Sequence, residues 1–370
     1  MPHEMTRQNP SPDSGDGFGA GLTNAAESPE RPSSGAAPEP AFDAVLSPGA
    51  AKAVAEAGRD ARSQGQQATA LMQGPSRAGL PASASGVPSQ PWLELDALWI
   101  QVAGTLCNLS CTHCFVTCGP DQERHAMMTR AEVAARVAEA LAAGVREIYL
   151  TGGEPFLHPD LEVIVEDTLA VAPVTVLTNG TLFTERRVRW LAALTRSARH
   201  SLELRVSLDA TQEAAHDAFR GAGAWARTIA GLRALEADGL APIVTLTRPQ
   251  GMDEATLAAS AAAALRVEGL SGTRLKLLPM FALGRELTRL GEAPAPRSLA
   301  SLPAEAFDPG RLQCGRSRAV TSRGVFVCPL LVDEPGGRMG DTLREAARPF
   351  ALVHDACVTC WATGMSCAND

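Results

Sequence analysis

The chain has 370 residues, a net charge of −8 at pH 7 and nine cysteines. That length allows two average domains or one α/β barrel with extensions, and the acidic balance argues against a broad nucleic-acid surface, which needs clustered Lys and Arg. No apolar run of about 18 residues and no secretory h-region occurs, so no membrane partner is expected and a cytoplasmic location is the default; reduced thiols there point to metal or redox chemistry instead of a disulfide framework.

All nine cysteines, all five tryptophans and the single tyrosine, Tyr149, lie after residue 91. Residues 1–90, dominated by Ala, Gly, Pro, Ser and charge, offer too little apolar area to offset about 1 to 2 kcal/mol of backbone entropy per residue. They are expected to form a disordered low-complexity tail, with an Ala-rich stretch over about 46–72 as its one helix candidate.

From Leu93 onward short β-rich runs alternate with longer helical ones, the pattern of βαβ units and a parallel sheet. Six strands are predicted: Leu98 to Val102, Val145 to Leu150, Val174 to Leu177, Leu202 to Leu208, Ile243 to Leu246 and Arg274 to Leu278. Thr129 and Glu132 spell a capping box, with Gly144 at the other end of that helix. Thr184 caps a helix to about Thr195, and Ala224 to Asp238 carries Trp225, Ile229, Leu232 and Leu235 at core spacing. These elements predict an α/β fold, a partial (β/α)6 TIM-like barrel over residues 91–285, with its active site at the C-terminal strand ends. Residues 286–370 read as a smaller, cysteine-rich unit with a hairpin over Ala319 to Val327 and a short helix near Thr342 to Arg348.

Three constellations carry chemistry. Cys107, Cys111 and Cys114 form a Cys-x3-Cys-x2-Cys run directly after the first strand. Three thiolates can ligate three irons of a cubane and leave the fourth open, unlike the four-thiolate set of an electron carrier; a zinc site is the alternative, although zinc usually takes paired cysteines closed by two further ligands. Thr151-Gly152-Gly153-Glu154-Pro155 ends the second strand, where glycine lets a ligand approach the backbone and a carboxylate suits an ammonium group; an ordinary strand-to-helix turn is the alternative. In the tail, Cys314, Cys328, Cys357 and Cys360 suffice for a second cubane or a structural zinc. Cys118 and Cys367 stay unassigned. A thioredoxin-like role for Cys357 and Cys360 is disfavoured because that chemistry wants a helix N-terminus.

The cysteine run, with Phe115 after its third cysteine, resembles the cluster loop of radical S-adenosylmethionine (radical SAM) enzymes, and Gly152 to Pro155 resembles that family's glycine-rich turn. The family's aromatic is often Tyr; Phe115 keeps the ring without the hydroxyl. The resemblance implies a [4Fe-4S] cluster on Cys107, Cys111 and Cys114, S-adenosylmethionine on its open iron, and an electron donor such as flavodoxin or ferredoxin. It makes Phe115, Gly152, Gly153, Glu154 and Pro155 cofactor contacts. Thr178 and Asn179 at the end of strand three, Ser207 and Asp209 at the end of strand four, and Arg220 match ligand-facing positions; Lys276 and Pro279 of strand six rank below them. The tail resembles Twitch or SPASM extensions, which implies an auxiliary [4Fe-4S] cluster on Cys314, Cys328, Cys357 and Cys360. The expected activity is formation of a 5′-deoxyadenosyl radical that abstracts hydrogen from a small-molecule substrate in an oxidoreductase-type reaction. A maturase of a ribosomally made peptide is the second reading, set behind the first because no folded leader-binding segment is predicted before residue 90. A non-enzymatic iron-sulfur or zinc protein is the third.

Overall fold

A computed structural model describes residues 86–249, 251–291, 297–300 and 306–369. The Ala-rich stretch and residues 1–85 of the expected N-terminal tail lie outside the described residues.

All six predicted strands are present and parallel. They are β2 (Ala97–Gln101), β3 (Glu147–Thr151), β4 (Val174–Thr178), β5 (Leu202–Ser207), β6 (Ile243–Arg248) and β7 (Arg274–Pro279). Each pairs with the next in sequence, giving the partial (β/α)6 barrel. The period-2 alternation of a strand sorts the side chains. Leu98, Ile100, Ile148, Leu150, Val174 and Val176 join the large apolar cluster that includes the helices, whereas Ala97, Trp99 and Tyr149 belong to a second cluster with the cysteine loop. Trp99 and Tyr149 stack with ring centroids 4.0 Å apart.

The helices form where their ends were legible. Thr129 and Glu132 close a reciprocal capping box on the helix Arg130–Ala142, and the Thr184 hydroxyl accepts from the Arg187 amide at the start of Glu185–Ser197. The helix Glu254–Val267 is capped by Asp253, whose carboxylate accepts from the Thr256 amide.

Two boundaries differ from the sequence reading. Ser89–Gln90 (β1), grouped with the tail by composition, pair antiparallel with Phe350–Ala351, the last strand, and Gln90 is buried. The 286–370 region is not a sheet apart: Ser317–Thr321 (β8) pairs in parallel with β2, and the predicted hairpin continues through Gly324–Phe326 (β9) to Arg338–Gly340 (β10). One nine-stranded sheet thus runs β10-β9-β8-β2-β3-β4-β5-β6-β7. β2, fully buried along its length, is therefore central. Its neighbours on both sides place the tail cysteines and the cysteine loop around a common strand.

Candidate active site

The loop that leaves β2 carries the first cysteine run and folds back on the ends of β2 and β3. Its geometry depends on glycine. A Cβ on Gly153 would stand 1.9 Å from the Leu106 carbonyl oxygen and 2.9 Å from Cys107 Cβ, and one on Gly104 (φ +54°) would stand 2.1 Å from the His125 carbonyl oxygen. The amides of Gly153 and Glu154 donate to the carbonyls of Gly104 and Leu106 at 2.8 and 2.9 Å, so turn and loop are laced together. Arg285, beyond the last barrel strand, donates to the Cys111 carbonyl at 2.7 Å and to the Cys118 carbonyl.

These contacts enclose a cavity of about 230 Å³ at the C-terminal strand ends. Cys107, Cys111, Cys114, Phe115, Gly152, Gly153, Thr178, Asn179, Ser207, Asp209 and Arg220, the residues singled out in the sequence, all line it. Pro279 does too, while Lys276 does not.

Glu154 and Pro155 are the exceptions. Both are buried outside the cavity wall. The Glu154 carboxylate accepts from the Thr178 hydroxyl (2.8 Å), the Asn179 amide (2.8 Å) and the Phe156 amide (3.0 Å). Burial pushes its pKa up, against those three donors. Glu154 therefore ties the end of β3 to the end of β4 and caps the short helix Pro155–Leu157, a structural use of a carboxylate that had been expected to meet an ammonium group. Asn179 in turn holds the cysteine loop, its side-chain amide donating to the Asn108 side chain at 2.9 Å and lying 3.9 Å from Cys107 Sγ.

Charge in the cavity is paired. Asp209 at the end of β5 meets Arg220 through the guanidinium Nε and His113 Nε2 at 3.0 Å, and accepts from the Thr247 hydroxyl at 3.0 Å. Burial opposes ionisation of Asp209, but the charges of Arg220 and His113 outweigh it and hold the carboxyl below its usual range. Among the thiols, burial pushes Cys107 up to about 12 and also raises Cys111, the latter opposed by Arg220 and Arg285. The Cys118 thiol donates to Cys114, lowering Cys114 and raising Cys118.

The tail cysteines converge as a second set. Cys314, Cys328, Cys357 and Cys360 surround a cavity of about 40 Å³ walled by Leu312, Leu330, Leu331, Phe350 and Met365. Cys367, unassigned by sequence, lines this cavity and the larger one. Its carbonyl accepts from the Arg205 guanidinium, and its amide donates to the Gln313 side chain at 2.7 Å. Cys357 and Cys360 sit on the helix Asp355–Thr363, whereas the sequence argument asked for a helix N-terminus beside a βαβ pattern. Burial pushes Cys357 up to about 11 and Cys328 up to about 12, the opposite of an activated redox thiol. Among the described residues no three His, Cys, Asp or Glu side chains meet at a point fit for one metal ion, and no helix is long and apolar enough to cross a membrane.

Trp99, Thr247 and further polar residues of the site escaped the sequence reading. His113 lies inside the cysteine run, and Gln101 is a polar residue in an otherwise apolar strand; both carried a signal. Arg285 and Arg205 carried none, since a surface-forming arginine and a carbonyl-clamping one look alike in sequence.

The profile of the Radical SAM superfamily matches residues 102–254, the stretch that builds this cavity through β6. Residues 102–254 form a radical SAM domain. The chain is 35% identical over 164 residues to AdoMet-dependent heme synthase of Methanosarcina barkeri, a match spanning 43% of this chain and 44% of that one. It is 32% identical over 136 residues to the antilisterial bacteriocin subtilosin biosynthesis protein AlbA of Bacillus subtilis, spanning 36% and 29%. The matches thus span under half the length of these curated relatives. Among solved structures, Streptococcus suis SuiB bound to S-adenosylmethionine is similar at 14% identity, covering 69% of this chain and 64% of that one with a TM-score of 0.47. Radical SAM membership implies a [4Fe-4S] cluster and S-adenosylmethionine as the domain's cofactors.

Proposed function

We propose that the 230 Å³ cavity is the catalytic chamber of a radical SAM enzyme, with Cys107, Cys111 and Cys114 holding the cluster and the substrate bound on its open side. One observation carries this: the three cysteines and the ends of β3, β4 and β5 line a single cavity. The residues fit the group. Cys107 and Cys111, buried thiols raised by burial, ionise on meeting a metal, Cys114 is lowered by the Cys118 hydrogen bond, and Arg220 and Arg285 supply positive charge beside Cys111. When bound, cluster and S-adenosylmethionine supply a 5′-deoxyadenosyl radical that takes hydrogen from substrate. The chain's own part is positional. Gly152 and Gly153 let the turn after β3 pack against the backbone of the cysteine loop, Ser207 lines the cavity, and Asp209 pairs with Arg220 and His113. Glu154, Thr178 and Asn179 hold the chamber's shape without facing the ligand directly through the carboxylate.

The same proposal assigns Cys314, Cys328, Cys357 and Cys360 to an auxiliary [4Fe-4S] cluster, supported by their convergence with Cys367 on one cavity. The test is anaerobic reconstitution with iron and sulfide, iron counting, and assay of 5′-deoxyadenosine from S-adenosylmethionine and dithionite. About eight irons with 5′-deoxyadenosine support both clusters; about four with activity restrict the tail to another metal; a loaded but inactive protein sinks the enzymatic reading.

A further inference from the structure

The floor of the chamber holds two buried polar atoms that the fold does not satisfy. Trp99 and Gln101, each 2% exposed, line the cavity from alternate positions of β2. Trp99 Nε1 and Gln101 Oε1 have no hydrogen-bond partner among the described residues. A buried donor or acceptor left unpaired costs about 1 to 3 kcal/mol, so native proteins rarely keep one without a ligand or water to meet it. His113 Nδ1 in the cavity wall is a third such atom; the two on the floor are of opposite kind, an indole N–H that can only donate and a carbonyl oxygen that accepts. Alternate residues of a parallel strand are about 6.6 Å apart, a span that an amide bridges with its C=O toward one and its N–H toward the other. Trp99 is fixed by its stack on Tyr149. Across the lumen Arg205 is already engaged with the Thr245 hydroxyl at 2.8 Å and the Cys367 carbonyl, so the floor offers a directed neutral pair.

We infer that this floor is the substrate subsite and that it recognises an amide group, the Trp99 indole donating to the amide oxygen and Gln101 accepting from the amide nitrogen. The inference rests on reading the chamber as catalytic and adds the class of substrate.

The experiment uses the reconstituted full chain labelled with 15N. The five indole resonances are followed by NMR, that of Trp99 being assigned with Trp99→Phe, while benzamide, N-methylbenzamide and acetophenone are titrated in turn. Acetophenone keeps the carbonyl and the size but has no N–H. Benzamide should shift the Trp99 indole and bind about tenfold more tightly than acetophenone, the worth of one good hydrogen bond. Gln101→Leu should erase that ratio, and Gln101→Glu, which keeps the acceptor, should preserve it and show that the variant fold is intact. A preference shared by N-methylbenzamide assigns the subsite to a secondary amide such as a peptide bond; a preference confined to benzamide assigns it to a primary carboxamide. Equal binding of benzamide and acetophenone to the wild type, or a ratio that survives Gln101→Leu, overturns the inference and leaves the two atoms to water. Assay of 5′-deoxyadenosine in the same samples keeps the two readings apart. Amide preference without cleavage removes the catalytic reading alone, and cleavage without amide preference removes this one.

Discussion

The two cysteine sites flank the same central strand yet surround sulfur differently. Around Cys107, Cys111 and Cys114 the wall is mixed: Arg220, Arg285, Asp209 and His113 stand beside glycine backbone, and the cavity opens past Phe115, itself 37% exposed. Around Cys314, Cys328, Cys357 and Cys360 the wall is almost wholly apolar, and the space is about 40 Å³ against about 230 Å³. The first site has room for a small molecule beside the group it holds; the second, smaller and apolar, has little. Each site is nevertheless pinned in the same way, by an arginine donating to cysteine carbonyls. Arg285 holds Cys111 and Cys118, and Arg318, 1% exposed, holds the Cys314 carbonyl at 2.6 Å along with those of Ser317, Ala346 and Arg348.

The sharpest way to break the comparison is to remove one thiol from each site. Cys107→Ser is expected to lower 5′-deoxyadenosine formation on the order of a thousandfold, because it removes one of the three thiolates that hold the cluster. Cys328→Ser should lower the iron count by about half and reduce 5′-deoxyadenosine formation less than tenfold. Equal losses from the two variants would show that the sites act as one. Next in size is Gly153→Ala, whose methyl group meets backbone at 1.9 Å. The loop must move, so iron retention should fall together with a stability loss of about 3 kcal/mol, read from thermal and urea unfolding. Wild-type iron content in Gly153→Ala would mean that the turn does not set the cluster loop.

The arginines come third, and they should split. Arg318→Met leaves several buried carbonyls without their donor and should destabilise the chain by about 3 kcal/mol. Arg285→Met acts on a loop at the cavity mouth. It should lengthen the time needed for reconstitution and lower iron occupancy, with a stability change nearer 1 kcal/mol. A reversal of that order would assign the sealed, structural role to the barrel site.

The comparison also explains what could be read in advance. The strands were legible because alternation and β-branched runs are local, and the capping boxes because Thr129 with Glu132 obeys a fixed spacing. The first site was legible because its ligands fall within eight residues and its turn follows at the end of the next strand. Three things were not. The parallel pairing of β8 with β2 joins segments some 220 residues apart, and no local pattern encodes that register. The burial of Glu154 depends on Thr178 and Asn179 arriving from β4, so a carboxylate beside two glycines looked like a ligand when it is a tie. Cys367 became meaningful only when Arg205 was seen to hold its carbonyl between the two cavities.

The smallest effect lies on the barrel side, where the site's polar frame rests on a neutral histidine. His216 is fully buried, its Nδ1 faces the Asp209 amide at 3.3 Å, and its ring meets Trp225 edge-on with centroids 5.6 Å apart. Burial first, and then the charge of Arg220, lower its pKa to about 4 from 6.5. Between pH 4 and 6.5 the unfolded chain binds this proton and the folded chain does not, so stability must rise with pH across that window and level off above it. The slope from this group is at most about 1.4 kcal/mol per pH unit. Urea unfolding of the wild type and of His216→Gln at pH 5 and pH 7 isolates it, since every other titrating group is shared. The difference between the two pH values should be smaller in the variant by up to about 2 kcal/mol. An unchanged difference would mean that the helix Glu213–Arg220 tolerates a charged His216 and that the Asp209 frame does not depend on its neutrality.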